Sequence, residues 1–353
     1  MTSHKTPHRI MIRAANWVGD AIMSTPAIRG IRRSNPGARI TLLAKPWVIP
    51  VFQENPCIDE IMAYDAGGRH CGWRGRLRLA QDLRHQSFDT AVLLQNAFEA
   101  ALLAWLGYIP RRIGYATDGR APLLTRRIWN TPVYKKRHMI DYYLGILQES
   151  GMITDGRHLD LFLTEKEMST ARGRIQQLGA GGKGPLVGIN PGATGGNAKR
   201  WFPERFAALG RRLRRETGAD IMIFGGPEDA ALGQWMAAEI GAPVIDLCGK
   251  TTLREAMCMI AACQLFVTND SGLMHVAAAV DTPQVAIIGS TDPVATGPSN
   301  DRSVIVSGAC ACAMAPCLKP TCPIDHRCMR AVTVDMVLEK VRLLMADHGG
   351  GTR

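Results

Sequence analysis

Short apolar runs alternate with longer amphipathic stretches along almost the whole chain. Runs of four to six apolar residues are typical of buried strands, and apolar residues at every third or fourth position indicate helices. In the first half this pattern predicts strands at residues 10–14, 39–44, 59–63 and 90–94. The helices predicted around them cover residues 20–31, 74–84, 98–106 and 139–148.

The second half repeats the alternation after a glycine-rich stretch at residues 179–185. Its predicted strands are 186–190, 220–224, 244–247, 265–268 and 284–288, the last of which we expect to be the final strand of the chain. Its predicted helices are 165–178, 203–217, 228–240, 252–263, an Ala-rich helix after residue 271, and 333–347. The terminal helix could pack against either half.

Alternation of strands and helices favours parallel sheets joined by crossover helices. A chain of 353 residues is too long for one ordinary domain. We therefore predict an α/β fold with two doubly wound domains, residues 1–165 and 166–353. The second domain would include a cysteine-rich loop at 310–328 and the terminal helix.

The composition is that of a soluble globular protein, with 46% hydrophobic and 21% charged residues. No apolar run reaches the length of about 18 residues that spans a bilayer, and the polar start does not resemble a signal peptide. We therefore expect a cytoplasmic protein.

The formal net charge of +11 is concentrated in the first half. Residues 1–160 contain 22 Lys and Arg against 13 Asp and Glu, whereas residues 161–353 contain 20 against 18. This asymmetry predicts an anionic partner for the first half, the alternative being a solvated basic surface. Because the basic residues lack interleaved aromatics, nucleic acid is not expected, and a phosphorylated acceptor or an anionic membrane surface fits better.

Ligands of parallel sheets bind beyond the carboxyl ends of the strands, so residues directly after a strand are candidates for chemistry. Asp20 follows the first strand, at the start of a helix and directly after Gly19. It is either a catalytic carboxylate or a simple helix cap.

Two loops in the second half could bind a nucleotide. The loop at 190–201 combines glycines, Thr194 and Lys199 before a helix, which suits a phosphate, although a flexible surface loop would have the same composition. In the loop at 224–228, Glu228 could bind a ribose hydroxyl or merely cap the next helix.

The most specific segment is residues 268–275, where a strand gives way to polar residues that open the Ala-rich helix. The unpaired amides at the start of that helix suit a diphosphate. His275 lies in its first turns and could reach the same ligand.

A different cluster of soft ligands lies near the carboxyl terminus, comprising Cys310, Cys312, Cys317, Cys322, His326 and Cys328. Four such ligands could form a zinc site. The spacings are irregular and contain no paired Cys-x-x-Cys motifs, so we predict no metal.

Several of these segments together resemble glycosyltransferase family 9, the lipopolysaccharide heptosyltransferases. They are Gly19-Asp20, the Pro-Gly-Ala loop at 191–193 with the Lys-Arg-Trp at 199–201, and residues 270–275. The resemblance extends from residue 10 to about residue 344, and residues 13–20 are most similar to the members that add the second heptose.

The resemblance implies a GT-B fold, with two Rossmann-like domains facing a central cleft. The first domain would bind the acceptor and the second the ADP-sugar. It also implies inverting transfer of L-glycero-D-manno-heptose from ADP-heptose to the first heptose of heptosyl-Kdo2-lipid A. No metal or other cofactor would take part, and the enzyme would contact the anionic inner-membrane surface peripherally.

Roles carried over from the family fall on both domains. Asp20 would be the general base, with Asn16, Trp17 and Gly19 beside the acceptor. On the donor side, Lys199 would neutralise the diphosphate and Glu228 would hold the nucleoside. The other implied donor residues are Asp270 at the heptose, Ser271 and Gly272 at the phosphates, and Thr194 and His275 close by.

Three alternatives remain open at this stage. The chain could be a member of the family with another acceptor, such as the enzyme that adds the first heptose. It could be a nucleotide-sugar epimerase on the same fold. In a different class, it could be a non-enzymatic nucleotide-binding module.

Overall fold

The computed structural model describes residues 8–129, 137–182 and 184–349. The chain divides into two compact units, Met1–Phe162 and Leu163–Arg353. Each unit contains one six-stranded parallel sheet with helices between its strands, which confirms the predicted α/β fold class. Among the described helices, none combines the length and the apolar character that a membrane span requires.

The sheet of the first unit has the strand order β3-β2-β1-β4-β5-β6. Its strands are β1 Arg9–Arg13, β2 Arg39–Ala44, β3 Glu60–Ala63, β4 Thr90–Leu93, β5 Arg111–Tyr115 and β6 Arg126–Ile128. Its helices are α1 Val18–Met23, α2 Thr25–Ser34, α3 Ile49–Phe52, α4 Gly72–His85, α5 Phe98–Leu106 and α6 Met139–Glu149.

The second sheet has the order β12-β11-β10-β7-β8-β9, which is the same topology once strands are counted from the start of each unit. Its strands are β7 Leu186–Asn190, β8 Asp220–Ile223, β9 Val244–Asp246, β10 Leu265–Asn269, β11 Gln284–Ile288 and β12 Ser303–Ser307. Its helices are α7 Glu165–Gln177, α8 Pro203–Thr217, α9 Ala230–Ile240, α10 Leu253–Ala262, α11 Gly272–Ala279, α12 Pro293–Thr296, α13 Arg327–Ala331 and α14 Val334–Gly349.

The central strands of both sheets are buried on both faces. Every residue of β4, β7, β10 and β11 is buried. Helices cover both faces of a parallel sheet, so its central strands read as continuous apolar runs. The predicted bounds of these four strands agree with the structure to within one residue.

The expectation that residues 284–288 form the final strand was wrong. β12 follows and pairs in parallel with β11 along its full length. At the other sheet, β5 and β6 were not predicted at all. β6 and β12 are edge strands, and β5 and β6 both begin with arginine pairs that are mostly exposed, so a long apolar run is missing from each.

The single helix predicted at 20–31 is two helices. α1 ends at Met23 and α2 begins at Thr25, with Pro26 in its first turn. Proline cannot donate a backbone hydrogen bond, which makes it suited to starting a helix rather than continuing one. The hydroxyl of Ser24, between the helices, donates to the carbonyl of Ala21 at 2.7 Å.

The terminal helix α14 packs on the second unit. Its sequence had left open which half of the chain it would contact. Val337, Leu338 and Val341 belong to the core that includes strands β7, β10 and β11. Just before the helix, the Val332 carbonyl accepts a hydrogen bond from the buried indole of Trp201 at 3.0 Å.

Helix α7 is tied to α10 by one carboxylate. Glu167 accepts hydrogen bonds from the Arg254 guanidinium at 2.6 and 2.9 Å, and from the backbone N–H of the cap residue Thr164 at 2.8 Å. These donors, with Arg254 first, lower the pKa of Glu167 from 4.5 to about 2. The ionised form is thus favoured in the folded state.

We predict that Glu167→Gln destabilises the protein at pH 7 by about 1–2 kcal/mol, a value reduced because the pair is partly exposed. The folded pKa of Glu167 lies below the unfolded one, so its contribution is complete above pH 4.5 and lost toward pH 2. Thermal midpoints measured from pH 7 down to pH 3 should converge for the two proteins. Glu165→Gln, on the same turn but with an almost fully exposed carboxylate, should match the wild type throughout; a constant gap would contradict this account.

Candidate functional site

The strand order of the second sheet reverses between β7 and β10, which are hydrogen-bonded neighbours at its centre. The chain leaves these strands in opposite directions, so a crevice opens beyond their carboxyl ends. The strands end at Asn190 and Asn269 respectively. The loop after residue 190, predicted to bind a phosphate, and the segment after residue 269, predicted to bind a diphosphate, therefore start side by side.

Two buried asparagine side chains join these loops. Asn269 donates from Nδ2 to the Pro191 carbonyl at 2.7 Å, and its Oδ1 accepts from the backbone N–H of Trp201 at 2.9 Å. Asn190 donates to the hydroxyls of Thr268 and Ser271 at 3.0 and 2.8 Å. The loop from 191 to 201 is thus fixed at both ends to β10.

This fixation brings together two residues that were predicted separately. Lys199 closes the short 3-10 turn Asn197–Lys199, and its Nζ lies 2.9 Å from Oδ2 of Asp270. Asp270 is 4% exposed, whereas the lysine side chain is 29% exposed. The ion pair therefore holds the ammonium at the surface of the crevice, where an incoming anion could share it.

The start of α11 lies directly after this carboxylate. Ser271 is the N-cap of the helix, and its Oγ accepts from the Met274 N–H at 3.4 Å. The positive end of the helix dipole then begins at Gly272. His275 lies in the same turn region and is 3% exposed. The sequence-predicted segment is therefore a helix N-terminus beside a lysine, which suits a diphosphate.

Thr194 and Glu228 lie on the exposed parts of the same edge. Glu228 belongs to the 3-10 turn Pro227–Asp229 that precedes α9. Among the described residues, no hydrogen bond or ion pair joins either side chain to the Lys199–Asp270 pair. Their predicted roles toward a donor remain predictions.

Asp229, next to Glu228, was not singled out from the sequence. It is 5% exposed, accepts from the Gly226 N–H at 3.2 Å, and lies 3.5 Å from the guanidinium of Arg200. It thereby connects the turn that carries Glu228 to the loop that carries Lys199.

The cysteine-rich loop packs on the lysine loop. The Pro320 carbonyl accepts from Ala198 N–H at 3.2 Å, and Asn197 Oδ1 accepts from Cys322 N–H at 3.3 Å. A Cβ at Gly196 would lie 1.9 Å from the same Pro320 oxygen, so only glycine fits there. In the described part of the chain, no three His, Cys, Asp or Glu side chains are placed to hold a metal ion.

In the first unit, Asp20 lies in the first turn of α1, but it is not the helix cap, since the N-cap is Trp17. Asp20 is thus the third residue of the helix, where a carboxylate also interacts favourably with the helix dipole. Asp20 forms a hydrogen bond with the phenol of Tyr143, which is 3% exposed. Burial and the neighbouring Asp20 charge raise the pKa of Tyr143 well above its ordinary value, so the phenol stays protonated and donates.

The turn before Asp20 is held by a second set of contacts. Asn16 accepts a hydrogen bond from Arg13 at its side chain, at 2.8 Å, and from the Trp47 indole at its carbonyl, at 2.7 Å. Trp17 is 63% exposed. Of the predicted acceptor residues, Asn16 is thus held in place and Trp17 is accessible.

Several residues of these sites escaped the sequence-based prediction. The asparagines carried a usable signal, because a polar residue that ends an apolar strand must find buried hydrogen-bond partners. Tyr143 carried none, since it lies in an ordinary helical pattern more than a hundred residues from Asp20.

Comparison with known proteins places the chain among relatives of one kind. The family described as glycosyltransferase family 9 (heptosyltransferase) matches residues 76–327. Lipopolysaccharide heptosyltransferase 2 of Salmonella typhimurium LT2 is 29% identical over 350 residues, covering 97% of this chain and 99% of the relative. The Escherichia coli K12 protein of the same name is 30% identical over 307 residues, covering 84% and 87%.

A solved structure of a heptosyltransferase is also similar to this chain. The E. coli ADP-heptose lps heptosyltransferase II superposes with a TM-score of 0.80 at 28% identity. The superposition covers 97% of this chain and 99% of that one.

We predict that Asn269→Leu destabilises the second unit by about 2–6 kcal/mol. The substitution leaves the Trp201 N–H and the Pro191 carbonyl buried without their partner, at about 1–3 kcal/mol each. The thermal midpoint of that unit, measured by calorimetry, should fall by roughly 5–15 °C. Gln177→Leu, at an exposed position of α7, is the matched control and should shift it little; equal midpoints for the two variants would refute the role of Asn269.

Proposed function

This chain belongs to glycosyltransferase family 9, the heptosyltransferases, and we propose that it transfers L-glycero-D-manno-heptose from ADP-heptose to the first heptose of heptosyl-Kdo2-lipid A. The transfer inverts the anomeric carbon and uses no metal. The observation that carries the proposal is the Lys199–Asp270 pair beside the N-terminus of α11. A cation and a helix N-terminus at one strand end suit the diphosphate of a nucleotide sugar.

On the donor side, charge develops on the departing ADP as its bond to the anomeric carbon breaks. Lys199 neutralises that charge and α11 contributes its amide dipoles, which makes leaving-group stabilisation a large part of catalysis. Asp270 holds the ammonium in place before the donor arrives. In the same proposal its carboxylate then turns to the heptose, while Glu228 binds the ribose.

The remaining donor contacts involve Ser271, Gly272, Thr194 and His275. The Ser271 oxygen already accepts from Asn190 and Met274. The Ser271 hydroxyl can therefore donate its own proton in a hydrogen bond, either to Thr268 or to a phosphate oxygen. Gly272 lets a phosphate approach the backbone closely.

On the acceptor side, Asp20 removes the proton of the acceptor hydroxyl as its oxygen attacks the anomeric carbon. Attack on the face opposite ADP gives inversion. Tyr143 holds the carboxylate of Asp20 by a hydrogen bond from a buried, protonated phenol. The basic first unit fits a phosphorylated, acidic lipid-linked acceptor at an anionic inner-membrane surface, with the protein peripherally bound.

We expect ADP release only when both ADP-heptose and an acceptor with one heptose are present. The measurement is a coupled ADP-release assay with lipid acceptors that carry zero, one or two heptoses. Turnover on the heptose-free acceptor instead would assign the chain to the first transfer. Tight ADP binding without acceptor-dependent turnover would support the non-enzymatic alternative, and a changed sugar without acceptor would support an epimerase.

We expect Asp20→Asn to lower kcat by about 10²–10⁴-fold, because the amide keeps the shape but cannot take a proton. The KM for ADP-heptose should stay within a factor of about three, since donor contacts lie in the second unit. Asp82→Asn removes a carboxylate that pairs with Arg69 elsewhere in the first unit, and it should retain wild-type kcat. Normal turnover by Asp20→Asn would exclude Asp20 as the base.

A further inference from the structure

Lys45 directly follows the carboxyl end of β2, in the first unit, and its surroundings are unusual for a lysine. The residue is 6% exposed. Its ammonium lies over the ring of Tyr64, with Nζ 3.3 Å from the centroid, and 5.9 Å from the ring centroid of Trp47. Within the described part of the chain, Nζ forms no hydrogen bond and no ion pair.

Nearby charges do not supply the missing partner. Glu99 acts on the ammonium electrostatically, but its carboxylate already accepts from the Tyr64 hydroxyl at 2.7 Å and from Arg76 at 2.6 Å. Asp65 acts on Lys45 only at longer range, and its oxygens accept from the loop that follows it. Two cations, Arg13 and Arg76, add to the positive field at the ammonium.

A buried lysine usually has a charged partner, since removing an ammonium from water is costly. The aromatic faces around Lys45 recover part of that cost. Burial, followed by the repulsion from Arg13, lowers the pKa of Lys45 below its ordinary value. An anion bound at the ammonium would offset both the cost of burial and the repulsion from Arg13. A buried cation without a partner is what we expect of a preformed anion site.

Trp47 connects Lys45 to the predicted acceptor turn. Trp47 is 55% exposed, and its indole N–H is fixed to the carbonyl of Asn16. An indole face that is rigid and exposed is a platform on which a sugar ring can stack. The short turn Pro46–Val48 also packs against α1, the helix that carries Asp20.

We propose that Lys45 and Trp47 form a subsite for an anionic sugar of the acceptor, with the ring stacked on Trp47 and its carboxylate or phosphate bound by Lys45. This subsite rests on the proposed function, because it places a second residue of the acceptor near the base. Asn16 links the subsite to the turn that leads to Asp20. No group at this position was predicted from the sequence.

The test is steady-state kinetics of Lys45→Met, which keeps the length of the side chain and its packing on Tyr64. We expect the KM for the one-heptose acceptor to rise about 10–100-fold, since a hydrogen bond to a charged group is lost. The KM for ADP-heptose should be unchanged. Lys45→Arg should recover part of the affinity. Arg84→Met removes a cation that lies 4.3 Å over the Tyr108 ring on the exposed surface of the same unit, and it should leave both constants unchanged.

Two modified acceptors identify the anion. One lacks its phosphates and the other has its sugar carboxyls reduced to alcohols. On the acceptor that lacks the bound group, wild type and Lys45→Met should have equal KM values. A penalty of the same size on both modified acceptors would overturn the proposal.

Two further measurements separate this proposal from other failures. Loss of thermal stability and of ADP affinity in Lys45→Met, together with normal acceptor KM in Lys45→Gln, would mean that Lys45 only packs. Wild-type protein without acceptor-dependent ADP release would refute the proposed function itself. Normal wild-type turnover with an unchanged acceptor KM in Lys45→Met would refute only the subsite.

Discussion

The buried side chain of Asn269 is the contact on which the second-unit site depends. It satisfies a backbone carbonyl at one end of the lysine loop and a backbone N–H at the other. Because the Asn269 amide is fully buried, water cannot replace it in these hydrogen bonds, and breaking them would leave buried polar groups without partners. Lys199 meets Asp270 because the loop between Pro191 and Trp201 is fixed at both ends. The Asp229 contacts and the cysteine-rich loop then support the same loop from its outer side.

Each unit contains a lysine that we propose to bind a ligand, and the two lysines have different partners in the structure. Lys199 is paired with Asp270 in the structure, so the diphosphate of the proposed donor would compete with a carboxylate for the ammonium. Such a pair keeps the cation positioned and lowers the cost of holding it without ligand. Lys45 instead lies on aromatic faces without a carboxylate partner among the described residues. A soluble, highly charged nucleotide and a bulky acceptor sugar would suit these two arrangements respectively.

Both units use the same strand order, yet their switch points carry different chemistry. In the second unit the strand ends carry asparagines, hydroxyls and one ion pair. In the first unit the corresponding edge carries buried arginine, exposed tryptophans and an aspartate held by a tyrosine. Topology therefore determines where ligands bind, whereas the residues directly after each strand determine which ligands they are.

The amino-acid sequence alone determined the fold class, the central strands and the positions of the candidate loops. It did so because burial on both faces leaves apolar runs that are visible without any partner, as in β7, β10 and β11. Strands β5, β6 and β12 escaped it, because arginines or serines at their ends leave each with only a short apolar run. Only the tertiary structure decided that Lys199 pairs with Asp270, that Tyr143 bonds to Asp20, and that Lys45 has aromatic rings in place of a carboxylate. These contacts join residues on different strands and helices, and their energies depend on distance and burial, which no local pattern of residues specifies.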